Sequence, residues 1–163
     1  MYDIDIVNCQ PLLLVAYLTE NDSLDFDLNY KNDCEDGLFY ERFYDIDRPK
    51  NISNIEWRSE IKVKLYKSIF FSFNKKSKIN KKFKELYPKT WESLEKISIT
   101  DISLASRLQN LESNLFNNII PKHSEFYFTL FDAIYFNNIM DKYKIENEIK
   151  NYFNNFNIKV TTK

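Results

Sequence analysis

Alternation of apolar and polar residues marks parts of the chain as β-structure. Residues 2–7 alternate in this way and predict a strand that ends near Asp5. Residues 125–136 form two apolar runs that meet at Asp132, which predicts a tight hairpin buried on both faces. Because a two-residue hairpin turn normally contains glycine, the aspartate at this tip suggests a role beyond turn formation. A last edge strand is expected at residues 157–161.

Most of the remaining chain has apolar residues at helical spacing. The capping box formed by Ser53 and Glu56 predicts the start of one helix. Helical segments are predicted at residues 11–18, 53–71, 75–89, 91–97 and 141–156, and a further one begins at residue 101 or 103 and runs to residue 119. The polar residues 21–37 are expected to form a loop. The order of elements predicts an α+β domain in which a small antiparallel sheet packs against several helices.

Length and composition favour one domain that spans residues 1–163, because 44% of the residues are hydrophobic. Two cysteines and one histidine are too few for a disulfide framework or a Cys/His zinc site. The sequence lacks a run of about 18 apolar residues, and its acidic start does not resemble a signal peptide. We therefore expect a cytoplasmic protein without a membrane partner.

Charge is divided unevenly along the chain. Residues 1–47 carry twelve acids and two bases, whereas residues 48–89 carry thirteen bases and three acids. The total of −1 argues against a nonspecific nucleic-acid coat protein, but the basic block could meet phosphates on one face. Arg58, Lys62 and Tyr66 are spaced four residues apart, so the predicted helix presents two cations and an aromatic ring on one face.

Four segments carry a family resemblance. Residues 5–16 (Asp-Ile-Val-Asn-Cys-Gln-Pro-Leu-Leu-Leu-Val-Ala) resemble a strand-turn-helix motif, and residues 58–71 resemble an Arg-x-x-x-Lys helix. Residues 108–113 are similar to a Gln-bearing palm helix, and residues 129–133 are similar to the tip of a palm hairpin. These segments resemble parts of the family A polymerases: motif A at residues 5–16, motif B at residues 58–71, the palm helix at residues 108–113 and motif C at residues 129–133. That family includes bacterial DNA polymerase I and the single-subunit phage RNA polymerases, and the similarity is greatest to divergent phage and mobile-element members.

The resemblance implies a template-directed nucleotidyltransferase with a polymerase palm. Residues 1–47 and 98–163 would be palm-like, and residues 48–97 would be a reduced, basic helical insertion like the fingers. It implies two Mg²⁺ ions, with Mn²⁺ as a substitute, acting on a DNA primer-template and dNTPs. A second chain could supply a thumb or N-terminal domains. The chain departs from the family at Phe131, where histidine is usual, and in Phe-Phe-Ser, which stands in place of Tyr-Gly.

The resemblance also implies roles for individual residues. Asp5 and Asp132 would be the metal ligands, with Asp3 as the alternative to Asp5, because Mg²⁺ prefers hard oxygen ligands. Lys62 would complete the catalytic set by neutralising the triphosphate and protonating the leaving group. Nucleotide binding is implied for Arg58, Lys62, Phe70, Phe71 and Gln10, and nucleic-acid binding is expected for Gln109, Lys75, Lys76 and Lys78.

A second hypothesis is a noncatalytic nucleic-acid-binding or interaction module that retains the palm fold. In that case Asp5 and Asp132 need not converge, and Arg58 and Lys62 would be ordinary helix cations paired with glutamates. Binding would depend on the basic face at residues 75–84 and would fall steeply with salt. The sequence leaves open whether the substrate class is DNA or RNA.

Overall fold

The sheet contains three antiparallel strands in a computed structural model that describes residues 1–73, 76–119, 122–124, 127–130 and 133–163. Within these ranges the strands are β1 (Tyr2–Asp5), β2 (Tyr127–Leu130) and β3 (Ala133–Phe136), in the order β1-β3-β2. The pairing of β2 with β3 confirms the predicted hairpin. The predicted tip at Asp132 lies outside the described residues.

The hairpin is not buried on both faces, so that prediction is wrong. Ile4, Ile134 and Phe136 are fully buried on one face of the sheet. On the other face Asp3 is exposed and Asp5 is half-buried, as the alternating pattern of the first strand predicted. In the described part of the hairpin, Tyr127 and Thr129 are exposed, and Ala133 and Tyr135 are only half-buried.

The C-terminal segment pairs with β1 but forms no strand in the described part of the chain, which corrects the predicted edge strand at residues 157–161. The pairing is an isolated bridge from Ile6 to Thr162, and Asp5 and Lys163 exchange backbone hydrogen bonds of 3.1 and 3.0 Å. Asn157 has a positive φ of 56°, a conformation that asparagine tolerates better than most residues. This left-handed turn follows the last helix at the position where the strand was predicted to begin, and the backbone pairing starts only at Thr161.

The described residues contain seven α-helices, which together with the strands make an α+β fold. They are α1 (Cys9–Thr19), α2 (Leu28–Glu35), α3 (Asn54–Leu65), α4 (Lys78–Leu86), α5 (Pro88–Ser98), α6 (Leu104–Ile119) and α7 (Ile139–Asn154). A 3₁₀ turn at Tyr40–Phe43 and a π-helical turn at Tyr66–Phe71 complete the set. Within the described ranges no helix combines the length and apolar character needed to cross a membrane.

Helix α2 falls inside the segment that was predicted to be a loop. Tyr30 and Cys34 are four residues apart and both are buried, so this short helix has an apolar side that the surrounding acids obscure. The Asp27 side chain accepts a 2.9 Å hydrogen bond from the backbone of Thr90 in α5. Distant contacts therefore stabilise a helix whose composition favours a loop.

Helix α3 begins as its capping box predicts. The Ser53 hydroxyl accepts from the Glu56 backbone, and the Glu56 carboxylate accepts from the Ser53 backbone at 3.1 Å. Ile61 and Leu65 lie fully buried on the stripe that was predicted to face the core. The α-helix ends at Leu65, earlier than expected, because the next turn is π-helical.

Candidate functional site

The turn between β1 and α1 is formed around Asn8. Its backbone is left-handed, with φ of 57°, and the residue is buried. Its side-chain nitrogen donates to the Cys34 carbonyl at 3.1 Å, and its side-chain oxygen accepts from Arg58 Nη2 at 3.2 Å. Asn8 therefore forms the turn between β1 and α1 and connects it to Arg58 of α3. Sequence reasoning missed this role, although an asparagine between a strand and a proline-containing helix is a signal for such a turn.

Of the predicted metal ligands, the structure describes Asp5 and its alternative Asp3 but not Asp132. Asp5 ends β1 on the open face of the sheet, and its Cα is paired with that of Ala133. Asp3, the alternative ligand, is exposed and pairs with Tyr135. Asp132 lies outside the described residues, so its distance from Asp5 is not defined. The strand register nevertheless sets Asp5 opposite the residue that follows Asp132 in the sequence.

A carboxylate at this position suits Mg²⁺, which takes one or two carboxylates together with water and phosphate oxygens. The half-buried side chain of Asp5 is one carboxylate at the end of its strand. Groups of three or more His, Cys, Asp or Glu side chains that could hold a metal are absent from the described ranges. The predicted pair of aspartates therefore offers the type of ligand that Mg²⁺ prefers, and the structure describes one residue of the pair, Asp5.

Arg58 is held by contacts on several sides. Its Nε donates to Glu41 Oε1 at 2.9 Å, while Nη2 donates to Asn8. The guanidinium also lies 4.9 Å from the centre of the Tyr40 ring, within the range of a cation–π contact.

Burial raises the pKa of the Tyr40 hydroxyl well above its usual value, so this hydroxyl stays protonated. It donates a hydrogen bond to the Tyr66 hydroxyl at 3.3 Å.

Lys62 lies one helical turn after Arg58, and its ammonium is 5.7 Å from the centre of the Tyr66 ring. The predicted face with two cations and an aromatic ring is therefore present.

A cleft of about 510 Å³ adjoins this face at the end of β1. Its lining residues are Val7, Asp36, Gly37, Glu41, Ile55, Arg58, Ser59, Thr161 and Lys163. The cleft brings the Arg58 guanidinium next to the turn that follows Asp5.

Gln10 contacts helix α6 rather than the cation face. Its side-chain nitrogen donates to Glu112 Oε2 at 3.0 Å, and the neighbouring Cys9 thiol lies 3.5 Å from Glu112 Oε1. Gln109, the predicted nucleic-acid-binding residue of this helix, is exposed and does not join this cluster. Glu112 was missed because the resemblance singled out the glutamine, although both residues belong to the same segment.

The two candidate stacking residues have different environments. Phe70 is buried in the core, where its ring centre is 5.6 Å from that of Tyr66. Phe71 is 53% exposed and lines a cleft of about 260 Å³ with residues at the start of α6. Only Phe71 of this pair presents an accessible ring.

The basic block is folded against the acidic N-terminal block. Ion pairs that join them in the described part of the chain include Arg58 with Glu41, Lys78 with Asp47, Lys82 with Asp45 and Lys89 with Asp25. Lys78 is thus paired at 2.7 Å, Lys76 is exposed, and Lys75 lies outside the described residues. Part of the predicted nucleic-acid face is therefore already neutralised by the protein's own carboxylates.

No protein-family model, curated protein or solved structure matches this chain. Its function is therefore inferred from the motifs and from the geometry that the chain itself provides. The geometry places the Arg58 guanidinium against the Asn8 turn that follows Asp5, and it sets Gln10 against Glu112 of α6.

Proposed function

We propose that the chain is the palm and fingers unit of a polymerase that transfers nucleotides with the help of two Mg²⁺ ions. The observation that supports this proposal best is the register of β1 and β3. It sets Asp5 opposite Ala133, the residue that follows Asp132. In this proposal the carboxylates of Asp5 and Asp132 would together supply ligands for a pair of metal ions.

Nucleotidyl transfer is an in-line displacement at phosphorus, in which most of the catalytic effect comes from positioning and charge. Bound Mg²⁺ would activate the attacking 3′ oxygen and stabilise the leaving pyrophosphate. Asp5 and Asp132 would hold the ions, with Asp3 as the alternative to Asp5. Lys62 would neutralise the triphosphate and deliver a proton to the leaving group.

Arg58 suits phosphate binding because its orientation is already set. Nε is bound to Glu41 and Nη2 to Asn8, so the remaining N–H groups of the planar guanidinium have a defined direction. A preorganised cation loses less side-chain entropy when a ligand binds. The exposed ring of Phe71 would then stack on a base, as the resemblance implies for this position.

The proposal is tested by primer extension with all four dNTPs, and separately with NTPs, in Mg²⁺ and in Mn²⁺. We expect extension by the wild type and loss of extension in Asp5→Asn and in Asp132→Asn. Asp22→Asn removes the same charge at an exposed position and should retain extension. Loss in Asp3→Asn with activity retained in Asp5→Asn would assign the metal to Asp3 instead.

A lack of extension in both metals, with DNA binding that Asp132→Asn leaves unchanged, would refute autonomous catalysis. The noncatalytic nucleic-acid-binding hypothesis would then take its place. That hypothesis predicts weaker DNA binding for Lys76→Glu and a steep decrease of affinity with salt. A parallel assay with labelled duplex DNA at two salt concentrations distinguishes the two functions.

A further inference from the structure

The cleft beside Arg58 is also lined by a second cation, Lys163. The two residues are far apart in the sequence, yet both line the same cleft of about 510 Å³. Backbone hydrogen bonds of 3.1 and 3.0 Å tie Lys163 to Asp5, and Lys163 is exposed to solvent. The sheet pairing therefore holds this lysine at the end of β1, next to the helix that carries Arg58.

The Arg58 guanidinium has hydrogen-bond donors that the protein does not use. A guanidinium carries five N–H groups. Nε donates to Glu41 at 2.9 Å and Nη2 donates to Asn8 at 3.2 Å, which leaves three N–H groups without an acceptor among the described residues. The side chain is 34% exposed, so a ligand in the cleft can reach it. Because the group is planar, its two protein contacts fix the direction of the remaining donors.

The acids that line the cleft are Asp36 and Glu41. Glu41 presents little free charge to a ligand, because Oε1 is bound to Arg58 and Oε2 is buried. Asp36 is half-buried and supplies one carboxylate, whereas Lys163 has no ion pair with the described residues. The unused donors of Arg58 and Lys163 thus favour a ligand that is rich in acceptor oxygens, and a phosphate group provides these in the form that arginine binds best.

We propose that Lys163 is a phosphate-binding residue, which forms an anion-binding cleft together with Arg58. The inference rests on the proposed function for the identity of the ligand, which is then the phosphate chain of a nucleotide or the pyrophosphate product. Asp36 faces the same space and opposes the anion. Lys163 and Asp36 must therefore affect phosphate affinity in opposite directions.

The test is titration calorimetry of the protein with sodium pyrophosphate in a buffer without divalent metal. Lys163→Gln should weaken binding roughly 3- to 10-fold, as expected for the loss of one cation close to an anion at a solvent-exposed site. Lys159→Gln removes the same charge from an exposed position of the same segment that does not line the cleft. This matched control should bind pyrophosphate like the wild type.

Two further variants distinguish phosphate binding from a merely structural role of Lys163. Lys163→Arg keeps the positive charge and should bind pyrophosphate within roughly twofold of the wild type. Asp36→Asn keeps the shape of the side chain but removes the opposing charge, so it should tighten binding roughly 2- to 5-fold. A residue that only stabilised the C-terminal segment would produce neither result.

The inference would be overturned if Lys163→Gln bound pyrophosphate as tightly as Lys159→Gln, if Lys163→Arg bound as weakly as Lys163→Gln, or if Asp36→Asn did not tighten binding. A wild type that does not bind pyrophosphate overturns it as well, and primer extension by that wild type would leave the proposed function standing. Pyrophosphate binding without primer extension would refute autonomous catalysis and leave the anion-binding cleft.

Discussion

The buried carboxylate of Asp33 allows a quantitative test of how the two oppositely charged blocks are held together. Its Oδ2 accepts from the Tyr87 hydroxyl at 2.8 Å, and its Oδ1 accepts from Arg42 Nε at 3.0 Å. Asp33 belongs to α2, while Tyr87 immediately precedes α5. The Tyr87 hydroxyl therefore connects the acidic N-terminal block to the basic block.

Replacing Tyr87 with phenylalanine removes this hydroxyl but keeps the ring. The ring retains its edge contacts with Tyr30 and Phe83, whose centres lie 5.2 and 5.1 Å away, so almost no cavity is created. The free energy of unfolding should therefore fall by the value of one hydrogen bond to a charged group, about 1.5–3 kcal/mol. For a chain of this size, that loss corresponds to a decrease of roughly 3–12 °C in Tm.

The measurement is urea denaturation of the wild type and of Tyr87→Phe at pH 7, followed by tryptophan fluorescence. Tyr143→Phe is the control, because Tyr143 is 64% exposed and its hydroxyl is open to water. A decrease below about 0.5 kcal/mol, or one equal to that of the control, would show that the hydroxyl does not stabilise Asp33 as the distance suggests.

Three further predictions concern stability. Burial raises the pKa of the Tyr30 hydroxyl and the Cys34 thiol well above their usual values, so the folded state keeps these protons after the unfolded chain has lost them. The contribution of these two groups to stability should be constant below about pH 8 and decrease above it, by up to about 1.4 kcal/mol per pH unit for each group, and a flat urea midpoint from there up to about pH 11 would contradict this. Ser53→Ala should cost about 1 kcal/mol in urea denaturation through loss of the helix cap, whereas Ser59→Ala inside the same helix should have little effect. Ile134→Ala should cost about 2–5 kcal/mol because its fully buried side chain leaves a cavity in the central strand, and a calorimetric Tm close to that of the wild type would contradict this.

Elements governed by neighbouring residues could be predicted from the sequence. Local hydrogen bonding and side-chain periodicity account for the cap at Ser53, the burial of Ile61 and Leu65, and the placement of Ile4 and Asp3 on opposite faces of the sheet. The face shared by Arg58 and Lys62 follows from the same helical spacing. These features appear where they were expected because their partners are only a few residues away.

Features that depend on distant partners were decided by the tertiary structure. Helix α2 forms because Tyr30 and Cys34 find a core and Asp27 finds Thr90, although its composition favours a loop. The Gln10–Glu112 contact and the role of Asn8 likewise require elements brought together from across the chain. Local sequence sets the preference of a segment, but burial and long-range hydrogen bonds contribute comparable free energy and can reverse that preference.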